Sequence, residues 1–410
     1  PVLDRAGVDR ILGTGTPGAL KAGRASHWCR RPIGAYWRRL PTAGARTRNG
    51  RTMRRMAMLL LLLAGTGHSG FAGAVPGVPD TRSQTQAALA LPEGLRLALD
   101  ARLPDARGPE LARVQQLIDF MIADDGLALR YQEHPTDGIA GSYAQRRVNC
   151  LSFTLMFVAL ARASGLQARA QASGDALAMR VLGDTVFRTS HVNAGVRIDG
   201  RWHSVDVARR SLVTAGEPEA ITDAQAVALL HNNNAVEQLV RGDDAVATRE
   251  IASALALDQE SVTAWSNAGV VHWRSGRREA AERAYLQALQ LQRDHVGALG
   301  NLVGMYHSTG DAQRAAAYEK RLQRAQASDP FSQFLIAQAL AQSGANDDAV
   351  VHYRRAIRLM PDEPEFHRKL ADSYEKQGKQ DAARRSRQRA GSLEAHRTAQ
   401  RAIRTIDEPA

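Results

Sequence analysis

One thiol, one imidazole and one carboxylate stand out by type and setting: Cys150, His191 and Asp206. Cys150 follows Asn149, a residue type that caps helices, and opens the apolar run Cys150–Ala163. Its sulfur is therefore expected at the first turn of a helix, where unpaired N–H groups and the helix dipole favour a thiolate. A thiolate attacks an amide or ester carbonyl, an imidazole takes and returns the proton, and a carboxylate fixes the imidazole's tautomer. The Cys150 backbone N–H would serve as one oxyanion donor, with Gln145 and Asn193 as side-chain candidates for another. Water resolving the thioester gives a peptidase or amidase; an amine gives crosslinking. A Cys beside Leu151, Phe153 and Leu155 is also of the kind that packs as a small core residue, and that reading stays open.

Bringing these groups together requires a helix and a hairpin. Strand-like runs cover Gln167–Ala172, Ala176–Leu182, His191–Ile198 and Arg201–Val207. The last two are separated by Asp199-Gly200, a hairpin turn signal. Pairing across that turn sets position 193 opposite 206 and leaves 191 within diagonal reach. Val192, Ala194 and Val196 alternate as the buried face, so His191 and Asn193 take the other. Helical patterns over Thr81–Ala101 and Pro109–Asp124 come first, and the Cys150 helix stops at Ser164-Gly165. Helices followed by an antiparallel sheet define an α+β unit.

Three segments together resemble the transglutaminase-like superfamily, over roughly residues 110–210. Asn149-Cys150-Leu-Ser-Phe-Thr-Leu-Met-Phe-Val-Ala-Leu-Ala-Arg162-Ala-Ser-Gly165-Leu-Gln-Ala-Arg169 resembles its nucleophile helix. His191-Val-Asn-Ala-Gly-Val and Asp199-Gly-Arg-Trp202-His-Ser-Val-Asp206 resemble its His and Asp strands, in the family's order. The resemblance implies a papain-like fold with Cys150 as nucleophile, His191 as general base and then acid, and Asp206 orienting the imidazole. No cofactor is implied, and no acidic cluster supports a Ca²⁺ site. A metal site drawn from His191, His203 and Asp206 fails because His203 and Asp206 alternate across a strand.

The second half carries a repeat. Gly242, Gly276, Gly310, Gly344 and Gly378 recur every 34 residues. An Ala stands five residues after each (Ala247, Ala281, Ala315, Ala349, Ala383), and a small or short apolar residue seven before each (Ala235, Gly269, Val303, Ala337, Ala371). With Trp265, Tyr285, Tyr306, Tyr353 and Pro361, this resembles the tetratricopeptide repeat, two antiparallel helices per unit. Stacked units bury a continuous core that no single unit could bury. The resemblance implies an array that holds a peptide or protein partner. The units at Gly242 and Gly378 are expected to be end caps.

Residues 1–52 carry eleven Lys/Arg against Asp4 and Asp9 and contain no Met, which suits an over-extended start. Arg54-Arg55, the apolar run Met56–Ala64 and Ala72-Gly73-Ala74 follow in the order of a signal peptide, too short for the roughly 20 apolar residues of a membrane span. Periplasmic or secreted localisation in a bacterium is expected, with no stable membrane span after cleavage. Although the whole chain has a net charge of +12, residues from Val75 onward carry only +1, which argues against a nucleic-acid partner. Cys29 falls in the leader, so Cys150 has no intramolecular disulfide partner after cleavage. A formal GxGxxG at Gly13, Gly15 and Gly18 follows no strand and opens no βαβ unit. The expected organisation is leader 1–52, signal peptide 53–74, transglutaminase-like domain with N-terminal helices 75–232, repeat array 233–395 and tail 396–410. Oligomeric state is not legible. The runner-up reading keeps this architecture but makes the chain a non-catalytic repeat scaffold or envelope assembly factor with an inactive thiol domain.

Overall fold

The computed structural model describes residues 80–103, 108–172, 178–182, 185–189, 192–205 and 219–400. The leader, the signal segment, Cys29, His191 and Asp206 lie outside the described residues. The first helices are α1 (Thr81–Leu89), α2 (Glu93–Arg102) and α3 (Glu110–Ile122). Thr81–Ala101 is therefore two helices, which corrects the single one expected. Ala90 leaves α1 in an extended conformation and Pro92 caps α2. Proline supplies no N–H for a continuous helix and pushes the residue before it toward extended backbone.

Then come β1 (Arg130–Tyr131), α4 (Ile139–Gln145), β2 (Arg147–Val148) and α5 (Cys150–Ala163). Residues Leu151–Ala161 of α5 are all buried. A helix apolar on every side belongs at the centre of its unit. Asn149 starts it, accepting the Ser152 N–H at 2.9 Å, and Gly165 ends it with φ +75°. The Leu166 N–H closes onto the Ala161 carbonyl at 2.9 Å, satisfying an orphan acceptor of the last turn.

Against α5 lies an antiparallel sheet ordered β7-β6-β3-β8, from β3 (Ala168–Ala172), β6 (Val192–Ile198), β7 (Arg201–Val205) and β8 (Glu219–Ile221). Val192, Ala194, Val196 and Ile198 share one core with α5. Asp199 (φ +48°) and Gly200 (φ +78°) form the β6–β7 turn, both in the left-handed region a two-residue hairpin prefers. Ala194 consequently pairs with Val205, the register expected from sequence. The run expected over Ala176–Leu182 is not part of this sheet. Its described residues form β4 (Ala178–Leu182), which among the described residues pairs with β5 (Thr185–Thr189) as a separate hairpin.

From Asp223 onward the chain is helical: α6 (Asp223–Arg241), α7 (Asp244–Leu257), α8 (Val262–Arg274), α9 (Arg278–Leu291), α10 (Val296–Ser308), α11 (Ala312–Ser328), α12 (Pro330–Gln342), α13 (Asn346–Leu359), α14 (Pro364–Lys376) and α15 (Gln380–Gln400). They pack as five consecutive pairs. The glycine between the helices of each pair has φ between +72° and +86°, a conformation costly for any residue with a Cβ. The five repeat alanines are fully buried where helices meet. Helix α6 belongs to both halves of the molecule. Ala226 and Leu230 join the α5 core, whereas Ala235, Val236 and Leu239 join the array core. That array core runs to Ala325, and a second cluster begins at Phe331, where the Phe334 and Phe366 rings stack at 4.7 Å.

Candidate functional site

Two places bring polar groups together. At the first, Cys150 is a free, partly exposed thiol on the opening residue of α5. The segment before α4 straps across this helix end. Asn149 Nδ2 donates to Thr136 Oγ1 at 2.8 Å, and Ser152 Oγ donates to the Asp137 carbonyl at 2.7 Å. Arg147 Nε donates to Asp137 Oδ2 at 2.7 Å, and the Thr136 N–H donates to Glu237 Oε1 at 2.8 Å. Glu237 belongs to α6, so the first array helix takes part in fixing the thiol end.

Of the three sequence-derived catalytic residues, the structure places Cys150 alone; His191 and Asp206 lie outside the described residues. The strands that flank them are placed, with β6 beginning at Val192 and β7 ending at Val205. Asn193 is buried, pairs with Gln171 and alternates with the β6 residues that pack against α5. Its Oδ1 is buried without a hydrogen-bond partner. Gln145 ends α4 exposed. Among the described residues no group of three or more His, Cys, Asp or Glu could hold a metal ion, and no helix is long and apolar enough to cross a membrane.

The second place is the array face formed by the first helices of the pairs. Asn267 on α8 is buried, and its Nδ2 donates to Asn232 Oδ1 on α6 at 2.9 Å. Asn301 occupies the same repeat position on α10, and its Nδ2 is buried with no hydrogen-bond partner. Gly297, Gly300 and Gly304 surround it at spacings of three and four, which puts them on one helix face. The apolar residues of α10, Ala298, Leu299, Leu302, Val303, Met305 and Tyr306, point into the array core instead. Asn301 as a whole is half-buried, and leaving a sealed donor without an acceptor costs about 1–3 kcal/mol. This face was not singled out from sequence. The signal was there in the 34-residue recurrence of Asn233, Asn267 and Asn301 and in three glycines on one turn-spaced stripe.

Comparison with known proteins agrees with the repeat reading. A tetratricopeptide repeat model matches residues 267–330 and a TPR repeat model matches residues 337–378, so the C-terminal region consists of TPR repeats. Neither match reaches residues 110–210, where the transglutaminase-like resemblance lies. No curated protein matches the chain. Among solved structures, a crystal structure of MamA is 18% identical and covers 40% of this chain and 96% of its own, with a TM-score of 0.25. MamA from Desulfovibrio magneticus RS-1 is 17% identical, with coverages of 41% and 96% and a TM-score of 0.24. YrrB, titled a TPR protein with an unusual peptide-binding site, is 18% identical, with coverages of 42% and 88% and a TM-score of 0.23. Likeness at these levels carries no argument about function.

Proposed function

We propose that the chain is a peptide- or protein-binding TPR array whose ligand lies on the α6–α8–α10 face. The buried, unpaired Asn301 Nδ2 carries this reading, supported by the Asn267–Asn232 pair beside it. A backbone carbonyl of an extended ligand is the acceptor such a donor fits. The test is an array of immobilised 15-residue peptides offered to the full chain and to Asn301→Ala. Loss of a hydrogen bond to a buried donor corresponds to about 1–1.5 kcal/mol, or roughly tenfold in affinity. Retained peptides that bind Asn301→Ala about tenfold more weakly support the reading; no retained peptide, or equal binding by both proteins, sinks it.

A second reading is favoured by the partly exposed thiol at a helix N-terminus. In it the N-terminal α+β unit is a papain-like, transglutaminase-like domain in which Cys150, His191 and Asp206 cleave or transfer amide acyl groups, exported through the signal segment 53–74. Alkylation followed by mass spectrometry at neutral pH separates the cases. Fast labelling of Cys150 that slows in His191→Ala supports an activated thiol; equal slow labelling in both makes Cys150 structural and leaves the array as the working part. N-terminal sequencing of protein recovered from the periplasm tests the export step, and a start near Val75 is the expected result.

A further inference from the structure

We infer that the β4–β5 hairpin is a built-in occupant of the array's ligand face, seated across α8 and α10 and displaced when a peptide binds. The inference rests on the peptide-binding reading for what displaces the hairpin, and on separate observations for the seating itself.

The hairpin leaves the main sheet between β3 and β6 and, among the described residues, pairs with nothing but itself. An isolated two-stranded hairpin is marginal in water, so its order needs a surface. That surface belongs to the array: β5 lies against α8 and α10, the first helices of the second and third pairs. The glycine face of α10 has the features of a covered one. Gly304 is buried and Asn301 Nδ2 is sealed from solvent, although Asn301 as a whole is only half-buried. Each glycine inside a helix costs about 0.5–1 kcal/mol relative to alanine. At Gly304 that cost is a net loss to the helix unless something needs to come close, whereas a Cβ on Gly297 would meet His295 and Ser266 of the array itself.

The seating is incomplete, which is what a displaceable occupant requires. Asn301 Nδ2 finds no acceptor with the hairpin in place, and a Cβ built on Gly300 meets nothing within 4 Å. A ligand strand that places a carbonyl at Asn301 and fills the space over Gly300 gains contacts the hairpin leaves unmade. The hairpin compensates by being tethered, which gives it a millimolar-range effective concentration. The partner chemistry this fits is an extended segment with an unpaired backbone edge.

Hydrogen exchange on the full chain, with two variants, tests the inference. Gly304→Leu puts a bulky side chain at the buried glycine of the α10 face. In the other variant a short Gly-Ser linker replaces residues 178–189; β3 and β6 already pair at Ala172↔Val192, so the linker spans a closed gap. The probe is a labelled synthetic peptide of residues 176–191. Amides of β4 and β5 are expected to be protected in the native chain and to exchange at least tenfold faster in Gly304→Leu, while α9 amides keep their rates. If Gly304→Leu unfolds the array, the linker variant decides. It is expected to bind the probe peptide at least tenfold more tightly than the intact chain does. Unchanged hairpin exchange in a folded Gly304→Leu chain, or equal or absent probe binding by the intact and linker chains, overturns the seating. Library peptides binding the intact and linker chains with equal affinity would overturn the displacement while leaving peptide binding by the array intact.

Discussion

Gly269→Ala and Gly300→Ala are the same chemical change in the first helices of successive pairs, α8 and α10, and the structure gives them opposite signs. A Cβ on Gly269 would lie 2.3 Å from Tyr285 Cε1, 2.4 Å from Cδ1 and 2.7 Å from Cζ. Carbon atoms pack best at about 3.5–4.0 Å, so the ring must retreat by about 1 Å. Tyr285 is only 2% exposed and sits in the array core, with no free space to retreat into. Overpacking of this kind costs about 1–3 kcal/mol, and the severity of the overlap puts this case near the upper end. Replacing a helical glycine by alanine returns about 0.8–1 kcal/mol, leaving a net loss of about 2 kcal/mol. On Gly300 the Cβ meets nothing within 4 Å, so only the propensity gain remains. The two variants should therefore differ by about 3 kcal/mol, read as urea midpoints of the array helices by far-ultraviolet circular dichroism. In a Tyr285→Leu background the Gly269→Ala loss should shrink, because the colliding ring is gone. A Gly269→Ala midpoint equal to or above that of Gly300→Ala would refute the packing argument.

Glu237→Ala should destabilise the chain by about 1–3 kcal/mol, since it leaves the Thr136 N–H buried without its acceptor; Glu237→Gln retains an acceptor and should lose less, as thermal melts of the two variants would show. His272 and His352 are held below the usual histidine range, first by burial and then by neighbouring arginines (Arg277 and Arg283; Arg355), with Asp348 partly offsetting at His352. The folded state then binds fewer protons than the unfolded one, so their contribution to stability is complete above about pH 6.5 and declines as pH falls below it. Urea midpoints measured at pH 7.5 and 5.5 should therefore fall less in His272→Asn/His352→Asn than in the parent, and equal falls would show that neither histidine carries the effect.

The features legible in sequence are those set by short-range rules. Asn149 marked the start of α5 and Gly165 its end, and Asp199-Gly200 fixed the β6–β7 register, because a cap or a turn is decided by a few adjacent residues. The glycine and alanine period gave the helix pairs for the same reason: each repeat meets mainly its neighbours, so spacing along the chain becomes spacing in the fold. Pro92 announced the break between α1 and α2, but the apolar pattern on both sides of it suggested continuity. What escaped depends on distant contacts. No local signal says that β4 and β5 stay out of the main sheet and meet α8 and α10, or that Glu237 of the first array helix accepts from Thr136. Of the candidate triad, Cys150 occupies the helix end its neighbours dictate, while His191 and Asp206 lie outside the described residues.

These distant contacts tie the thiol end to the array. Arg162, near the end of α5, donates from both terminal nitrogens to the Asp223 carboxylate at the start of α6, at 2.6 and 2.9 Å. Fourteen residues on, Glu237 of the same helix holds the strap over the beginning of α5. The pair at Asp223 is partly exposed and contributes little by itself, yet with a buried acceptor at Glu237 and apolar residues in two cores, α6 has its position set by both halves at once. Glu237 of α6 thus reaches Asn149, the residue before Cys150, through Thr136. If peptide capture on the array face, as proposed, displaces α6, the Cys150 alkylation rate is expected to change with ligand, and an unchanged rate would refute the coupling.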